Sequence, residues 1–399
     1  MQVNQRVSRL KPSSTLALNQ KANALKASGK SVINLTVGEP DVPTPERICN
    51  AAIAAIQRGE TKYTSSTGIS PLKEAVIENI QKTYGRSYEK NEVMISAGAK
   101  QAIYNLCLAT LNEGDEAIIF APYWVSYVEM VRLAGAIPVI VNSSEENGFE
   151  PKRSDLEKAI SSKTRILFLN SPCNPTGTVY SEETLKMIFE VVEREKQIVV
   201  ATDDIYEKFL YDGIKFQSIA SFPSFPKEQL VIVHGVSKSY SMTGWRIGYA
   251  IAPSSLISAM DVIQSNATSN PTSISQWAAV EALRGDQKEV EEMKAKFEQR
   301  RNRFYPELIR DSKARCLKPK GAFYFFPYVG NALSKLTPQR HKIEDDLTLS
   351  DYLLMDWGLA TVPGSAFGAP GYLRISFAAS ETDLKEGVER FHSGLNALE

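Results

Sequence analysis

Apolar residues along the 399-residue chain come in two textures. Between about residues 90 and 252, short apolar runs, most of them rich in β-branched side chains, alternate with stretches of helical pattern. The runs are 92–96, 117–120, 137–141, 165–169, 197–201, 230–233 and 247–252. They are too short for buried helices, so they predict strands. Helical stretches such as 101–111 and 182–194 lie between them. This alternation predicts an α/β fold, a mainly parallel seven-stranded sheet flanked by helices on both faces. A long charged helix is expected over about 288–309, and after it the texture changes. Residues 321–328, 360–362 and 372–377 read as a few further strands, 331–347 as a polar surface loop, and the chain from about Glu381 as a terminal helix. The expected organisation is an N-terminal arm contributing to a small domain (1–45), a large domain (46–287) and the rest of a smaller α+β domain (288–399). No solenoid repeat or low-complexity tract interrupts it.

Composition changes this picture little. At roughly 150 residues per domain the length suits two or three domains, and 43% hydrophobic residues supply ample core. Equal numbers of basic and acidic residues, 46 of each, argue against nucleic acid as the main partner. The balance conceals an asymmetry, because no acidic residue precedes Glu39 while Arg6, Arg9, Lys11, Lys21, Lys26 and Lys30 are all basic. Such an arm can be an organellar leader, a solvated face, or a segment that meets an anion. No run approaches the roughly 18 apolar residues of a membrane span, and no secretory leader is read. Cys49, Cys107, Cys173 and Cys316 are dispersed without a CxxC spacing, as expected of reduced thiols in the cytoplasm.

Several apparent motifs fail. Gly29-Lys30-Ser31 resembles the end of a P-loop, but Ala24 stands where the first glycine is required. Gly235-Val236-Ser237-Lys238-Ser239 begins like a nucleophile elbow and ends in serine. No GxGxxG follows the early strands. His234, His341 and His392 lack metal-ligand spacing, and no metal is expected.

The chemistry gathers where strands end, which is where open α/β sheets bind ligands. The first run leads into Ser96-Ala97-Gly98-Ala99-Lys100 and a helix, an N-terminus able to hold a phosphate. The second leads to Pro122-Tyr123-Trp124-Val125-Ser126-Tyr127, whose aromatics can stack on a planar ligand. The fourth ends in the rigid turn Asn170-Ser171-Pro172-Cys173-Asn174-Pro175-Thr176-Gly177. The fifth ends in Thr202-Asp203-Asp204-Ile205-Tyr206. Two adjacent buried acids are costly, so a cationic partner is expected for at least one of them. The sixth leads to Ser237-Lys238, with Thr243-Gly244-Trp245-Arg246-Ile247-Gly248 beyond it, a reactive amine beside an anion site. Together these parts ask for a planar, phosphorylated, carbonyl-bearing ligand with a ring nitrogen, which pyridoxal 5′-phosphate satisfies.

With these residues the chain resembles the fold-type I pyridoxal-phosphate aminotransferases of class I. It is most similar to the bacterial aspartate aminotransferase subgroup, some members of which also act on prephenate. The likeness runs from Lys11-Pro12-Ser13-Ser14-Thr15 to Arg374-Ile375-Ser376, and the block from Ser237-Lys238 to Gly248 is its most specific part. The resemblance implies that Lys238 bonds to the cofactor and moves the substrate proton. It implies that Asp203 pairs with the ring nitrogen, and that Tyr206 and Asn174 contact the phenolic oxygen. Ser237, Arg246 and the turn Gly98-Ala99-Lys100 would hold the phosphate, Trp124 would stack on the ring, and Tyr63 would reach the neighbouring subunit's phosphate in a homodimer with shared sites. Arg374, with Asn174, Trp124 and backbone at Gly38, would bind the substrate α-carboxylate.

The motif of the partner-subunit arginine that reads side-chain carboxylates in the family's better-known branch is not found. In this subgroup the resemblance assigns that task to Lys100 with Thr15 or Ser14, and Lys11 as a further contributor. The basic arm then reads as part of the mature protein, poised over a dicarboxylate site. The expected activity is ping-pong transfer of an amino group between aspartate or glutamate and a 2-oxo acid, with prephenate a further acceptor. A decarboxylase or C–S lyase on the same fold and a non-catalytic, cofactor-binding regulator are the alternatives. The regulator would need a DNA-binding module that the chain before Gly38 has no length to supply.

Overall fold

The computed structural model describes residues 4–8, 10, 12–311 and 313–399. All seven early runs form strands: β1 (Val93–Ser96), β2 (Glu116–Ala121), β3 (Ile137–Asn142), β4 (Thr164–Leu169), β5 (Val199–Asp203), β6 (Leu230–Gly235) and β7 (Gly248–Ile251). They make one sheet in the order β1-β7-β6-β5-β4-β2-β3. Strands β2 to β6 are parallel, and β7 runs antiparallel to both β1 and β6. Successive residues of a strand face opposite sides. Ile118, Phe120, Leu167, Leu169 and Ile232 therefore enter one core with helices Ser70–Tyr84, Glu182–Val192 and Ser273–Arg284. Ala117, Ile119, Ile166, Phe168 and Val231 enter another, with helices Ala99–Thr110 and Ser254–Ala267. Burial on both faces is why these strands read as continuous apolar runs.

A third core gathers Phe297 and Phe304 of helix Lys288–Leu308, Phe323 and Phe325, Leu373 and Phe377, and Leu384 and Phe391 of helix Glu381–Asn396. Ile33 and Leu35 join it from the N-terminal side, and Tyr206 and Phe209 from just beyond β5. This core is thus seated against the carboxyl edge of the sheet.

The small strands differ from expectation. Residues 360–362 are not one strand. Leu359–Ala360 pairs in parallel with Ile33–Asn34, whereas Val362–Pro363 pairs antiparallel with Leu373–Ser376, whose other edge meets Tyr324–Phe325. Thr361, fully buried between them, is where the chain passes from one small sheet to the next. The loop expected to reach residue 347 ends earlier, because Asp345 caps a helix, Asp346–Trp357, by accepting the Thr348 N–H at 2.8 Å. The basic arm contains helix Ser14–Ala27, whose cap Ser13 accepts from Leu16 N–H. Among the described residues no helix is long and apolar enough to cross a membrane, and no cluster of metal-ligating side chains occurs.

Candidate active site

Strand ends and the third core enclose a cavity of about 290 Å3. Lys238 enters it three residues beyond the end of β6, its Nζ donating to the Gly38 carbonyl at 2.7 Å. Burial lowers its ammonium pKa to about 8; Glu39 pulls upward, and the charges of Arg246 and Arg374 press it down.

Asp203, the last residue of β5, forms part of the floor. Its Oδ2 accepts the Tyr127 hydroxyl at 2.6 Å, while Oδ1 is buried with no partner. Burial holds its carboxyl above the ordinary range in spite of that hydrogen bond. Among the described residues no lysine, arginine or histidine lies at ion-pair distance from either acid, although the charges of His234 and Lys238 favour the ionised Asp203. Asp204 is met instead by the Tyr84 hydroxyl at 3.0 Å and the Thr202 hydroxyl at 2.7 Å, and burial pushes its pKa up to about 6. Neutral donors meet the acids without the cost of desolvating a second charge.

The turn after β4 is bolted to this floor. Asn170 Nδ2 donates to the Asp203 carbonyl at 2.8 Å, and Asn170 Oδ1 accepts the Asn174 N–H at 2.9 Å. Asn174 Oδ1 in turn accepts from Arg374 Nη1 at 2.9 Å. Arg374 Nη2 donates to the Thr36 carbonyl at 2.6 Å, and its Nε is buried without a partner. Its guanidinium lies between the rings of Tyr324 and Phe367, 4.6 and 5.0 Å from their centroids. No carboxylate of the described residues pairs with it although it is only 3% exposed. A buried cation with no carboxylate partner can receive an anion.

A second place suited to an anion is the start of helix Ala99–Thr110. The first N–H groups of a helix have no partner within it. Gly98, at φ +88°, brings the turn so close to Arg246 that a Cβ would sit 2.5 Å from Nη2. Arg246 is steadied by the carbonyls of Thr243 at 2.8 Å and Ala97 at 3.3 Å. Ser237 and Arg246 share the cavity wall with Ala99.

Trp124 also lines the cavity, edge-on to Tyr127, with Lys100 Nζ 4.9 Å from its ring centre. Burial lowers the Lys100 pKa, and the charge of Arg246 lowers it further. Thr15 and Ser13 reach the wall, but Ser14 between them does not, so the start of the arm is brought to the site through its helix cap and not through Ser14. Lys11 lies outside the described residues. Tyr63 is 90% exposed and stands off the wall. Tyr127, Asn170 and Tyr324 completed the site without having been singled out. Tyr127 lies one helical turn past Trp124 and Asn170 one residue past β4, which are usable signals. Tyr324, within four consecutive aromatics, gave none.

A model of the family described as aminotransferase class I and II matches residues 30–391. The aspartate aminotransferase of Geobacillus stearothermophilus is 46% identical over 397 residues, covering 100% of both chains. The aspartate/prephenate aminotransferase of Nitrosomonas europaea is 44% identical over 99% of this chain and 100% of its own. Among solved structures, the aspartate aminotransferase from Rhizobium meliloti superposes with a TM-score of 0.96 at 43% identity, over 100% of each chain.

Proposed function

The chain belongs to the class I and II aminotransferases, and we propose that it moves an amino group between aspartate or glutamate and a 2-oxo acid, with prephenate a further acceptor. One observation carries this reading: a lysine with a lowered pKa, an acid with one unpartnered oxygen and two anion sites share one cavity.

Pyridoxal 5′-phosphate fits these residues. The unpartnered Asp203 Oδ1 suits a protonated ring nitrogen, and the close Gly98–Arg246 approach at a helix start suits a phosphate. Ser237 and the N–H groups of Ala99 and Lys100 complete that seat, Trp124 would cover a ring face, and Tyr206 and Asn174 would meet the phenolic oxygen. When bound, the cofactor supplies an electron sink for the negative charge left on the substrate Cα after its proton departs. Lys238 is the base for that proton. At a pKa of about 8, roughly one amine in ten is neutral at pH 7, against fewer than about one in a thousand for an ordinary lysine. Asp203, kept from water and fixed by Tyr127, would hold the ring nitrogen protonated, and beside that positive charge its carboxyl would be ionised. Arg374 presents its fork to the α-carboxylate beside Asn174, and Lys100 offers a point charge to a second carboxylate without demanding one geometry.

Transfer is ping-pong, the amino acid leaving as a 2-oxo acid before the acceptor enters. The exposed Tyr63 would reach the phosphate of a second copy, giving a homodimer with shared sites. In the same reading Thr36 and Arg374 belong to the small domain and Lys238 and Asp203 to the large one, divided near residues 45 and 287. Four unpaired cysteines support a reducing, cytoplasmic setting.

Spectroscopy of the purified protein loaded with pyridoxal phosphate tests this. Aspartate or glutamate should bleach the visible band of the lysine-bound cofactor, and oxaloacetate, 2-oxoglutarate or prephenate should restore it. A protein that develops no band lacks the cofactor. A band that neither donor bleaches removes the substrate assignment, and release of carbon dioxide or sulfide would favour the decarboxylase or lyase.

A further inference from the structure

Tyr324 is fully buried in the cavity wall, and the mechanism above does not use it. Its hydroxyl lies 2.8 Å from that of Tyr206. Its ring lies against the Arg374 guanidinium, at 4.6 Å. Gly38 approaches so closely that a Cβ there would stand 2.6 Å from the Tyr324 hydroxyl, which leaves room for no other residue unless the tyrosine moves. The register explains the placement. Tyr324 pairs with Ser376 across the antiparallel ladder, so Arg374, two residues along, occupies the same face as its diagonal neighbour. One side chain therefore stands against residues from three separate parts of the chain, Gly38, Tyr206 and Arg374, at the cavity wall.

A tyrosine hydroxyl has one proton to give and lone pairs to receive. If Tyr206 donates its proton to the cofactor's phenolic oxygen, it must act as acceptor toward Tyr324. The order is then Tyr324 O–H to Tyr206 O, and Tyr206 O–H onward to the ligand. Each bond in such a chain polarises the next. The Arg374 cation against the Tyr324 ring makes that hydroxyl the better donor.

We propose that Tyr324 is a positioning residue that ties the carboxylate-gripping Arg374 to the hydrogen bond donated by Tyr206. The proposal rests on the pyridoxal phosphate reading. Its hydroxyl acts on Tyr206, and its ring holds the Arg374 fork, so the two contributions separate by substitution. Tyr324→Phe keeps the ring and removes the hydroxyl; Tyr324→Leu removes both.

Two readouts decide it. In the loaded protein, a pH titration of the visible band reports the proton held beside the phenolic oxygen. A weakened Tyr206 donor leaves more negative charge on that oxygen, which holds the proton more tightly. The midpoint should therefore rise by several tenths of a pH unit in both variants. In the protein with and without cofactor, succinate binding by calorimetry reports the Arg374 fork. It should stay within about twofold of the parent in Tyr324→Phe and fall about tenfold in Tyr324→Leu. An unmoved midpoint in Tyr324→Phe overturns the coupling to Tyr206, and unchanged succinate affinity in Tyr324→Leu overturns the coupling to Arg374. A parent protein with no band at all is instead a failure of the cofactor reading. The cofactor-free succinate titration then still decides whether Tyr324 holds Arg374.

Discussion

The Lys238 ammonium is held by a single carbonyl, 2.7 Å away, in a cavity that also contains two guanidinium groups. Its folded pKa of about 8 lies below the 10.5 of an ordinary lysine. Between those values the unfolded chain carries a proton that the folded chain does not, so this residue makes stability rise with pH across that window. Below pH 8 both states are protonated, and the folded state bears the full cost. Lys238→Met should stabilise the cofactor-free protein at pH 7 by about 2 kcal/mol, once loss of the bond to Gly38 is set against the removed charge. The gain should shrink as pH rises from 8 toward 10.5, while transamination is abolished. Urea denaturation at pH 7 and pH 10 checks this, and equal gains at both would contradict the lowered pKa. Lys100 makes a different demand, because its charge faces the cavity beside Trp124. Lys100→Ala should raise KM for aspartate and glutamate about tenfold or more and leave turnover of neutral amino acids largely intact. Equal losses for the two classes would remove Lys100 from substrate selection.

At the helix start, specificity of shape comes from glycines. A Cβ on Gly248 would stand 2.0 Å from the Ala99 nitrogen and 2.4 Å from the Gly98 carbonyl carbon, backbone atoms that cannot swing aside. Gly248→Ala should force β7 away from the start of helix Ala99–Thr110, destabilise the fold by about 2 kcal/mol and weaken cofactor binding at least tenfold. Gly244→Ala, with nothing within 4 Å, is the control and should be neutral to within about 0.5 kcal/mol. Equal cofactor affinities for the two variants would show that this contact does not shape the phosphate seat. The same part of the chain was the most legible, since strands buried on both faces and turns of small residues leave strong local signals. The small sheets left weak ones. Their strands are two to four residues long, and 360–362 holds the end of one and the beginning of another. Helix Asp346–Trp357 was hidden because its first turn continues a polar stretch and the exposed Leu347 and Met355 blur the period set by the buried Leu349, Tyr352 and Leu353. Sequence also revealed that the acid pair needed partners, but that the Tyr127 and Tyr84 hydroxyls meet it within the chain, leaving Asp203 Oδ1 for the proposed ring nitrogen, depends on tertiary packing.

A single copy of the chain leaves Tyr63 almost wholly exposed, off a cavity whose other proposed phosphate ligands lie together. Its segment is anchored nearby, Ser66 Oγ donating to Asp261 of helix Ser254–Ala267 at 2.5 Å, and Val262 beside it is 64% exposed. If two copies complete each other's sites, defects in different copies should complement. Tyr63→Asp would set a negative charge against the phosphate, and Lys238→Ala removes the base, so each variant alone should be nearly inactive. In a mixed dimer, the chain carrying Tyr63→Asp keeps its own Lys238 and receives an intact Tyr63 from its partner. The second site of that dimer carries both defects. Refolding or co-expressing the two variants should therefore restore up to about half the wild-type activity per mixed dimer, because closed twofold symmetry leaves one complete site in two. Differently tagged chains allow the mixed species to be isolated before assay. Mixed dimers that form and remain inactive would mean that Tyr63 serves its own subunit or none.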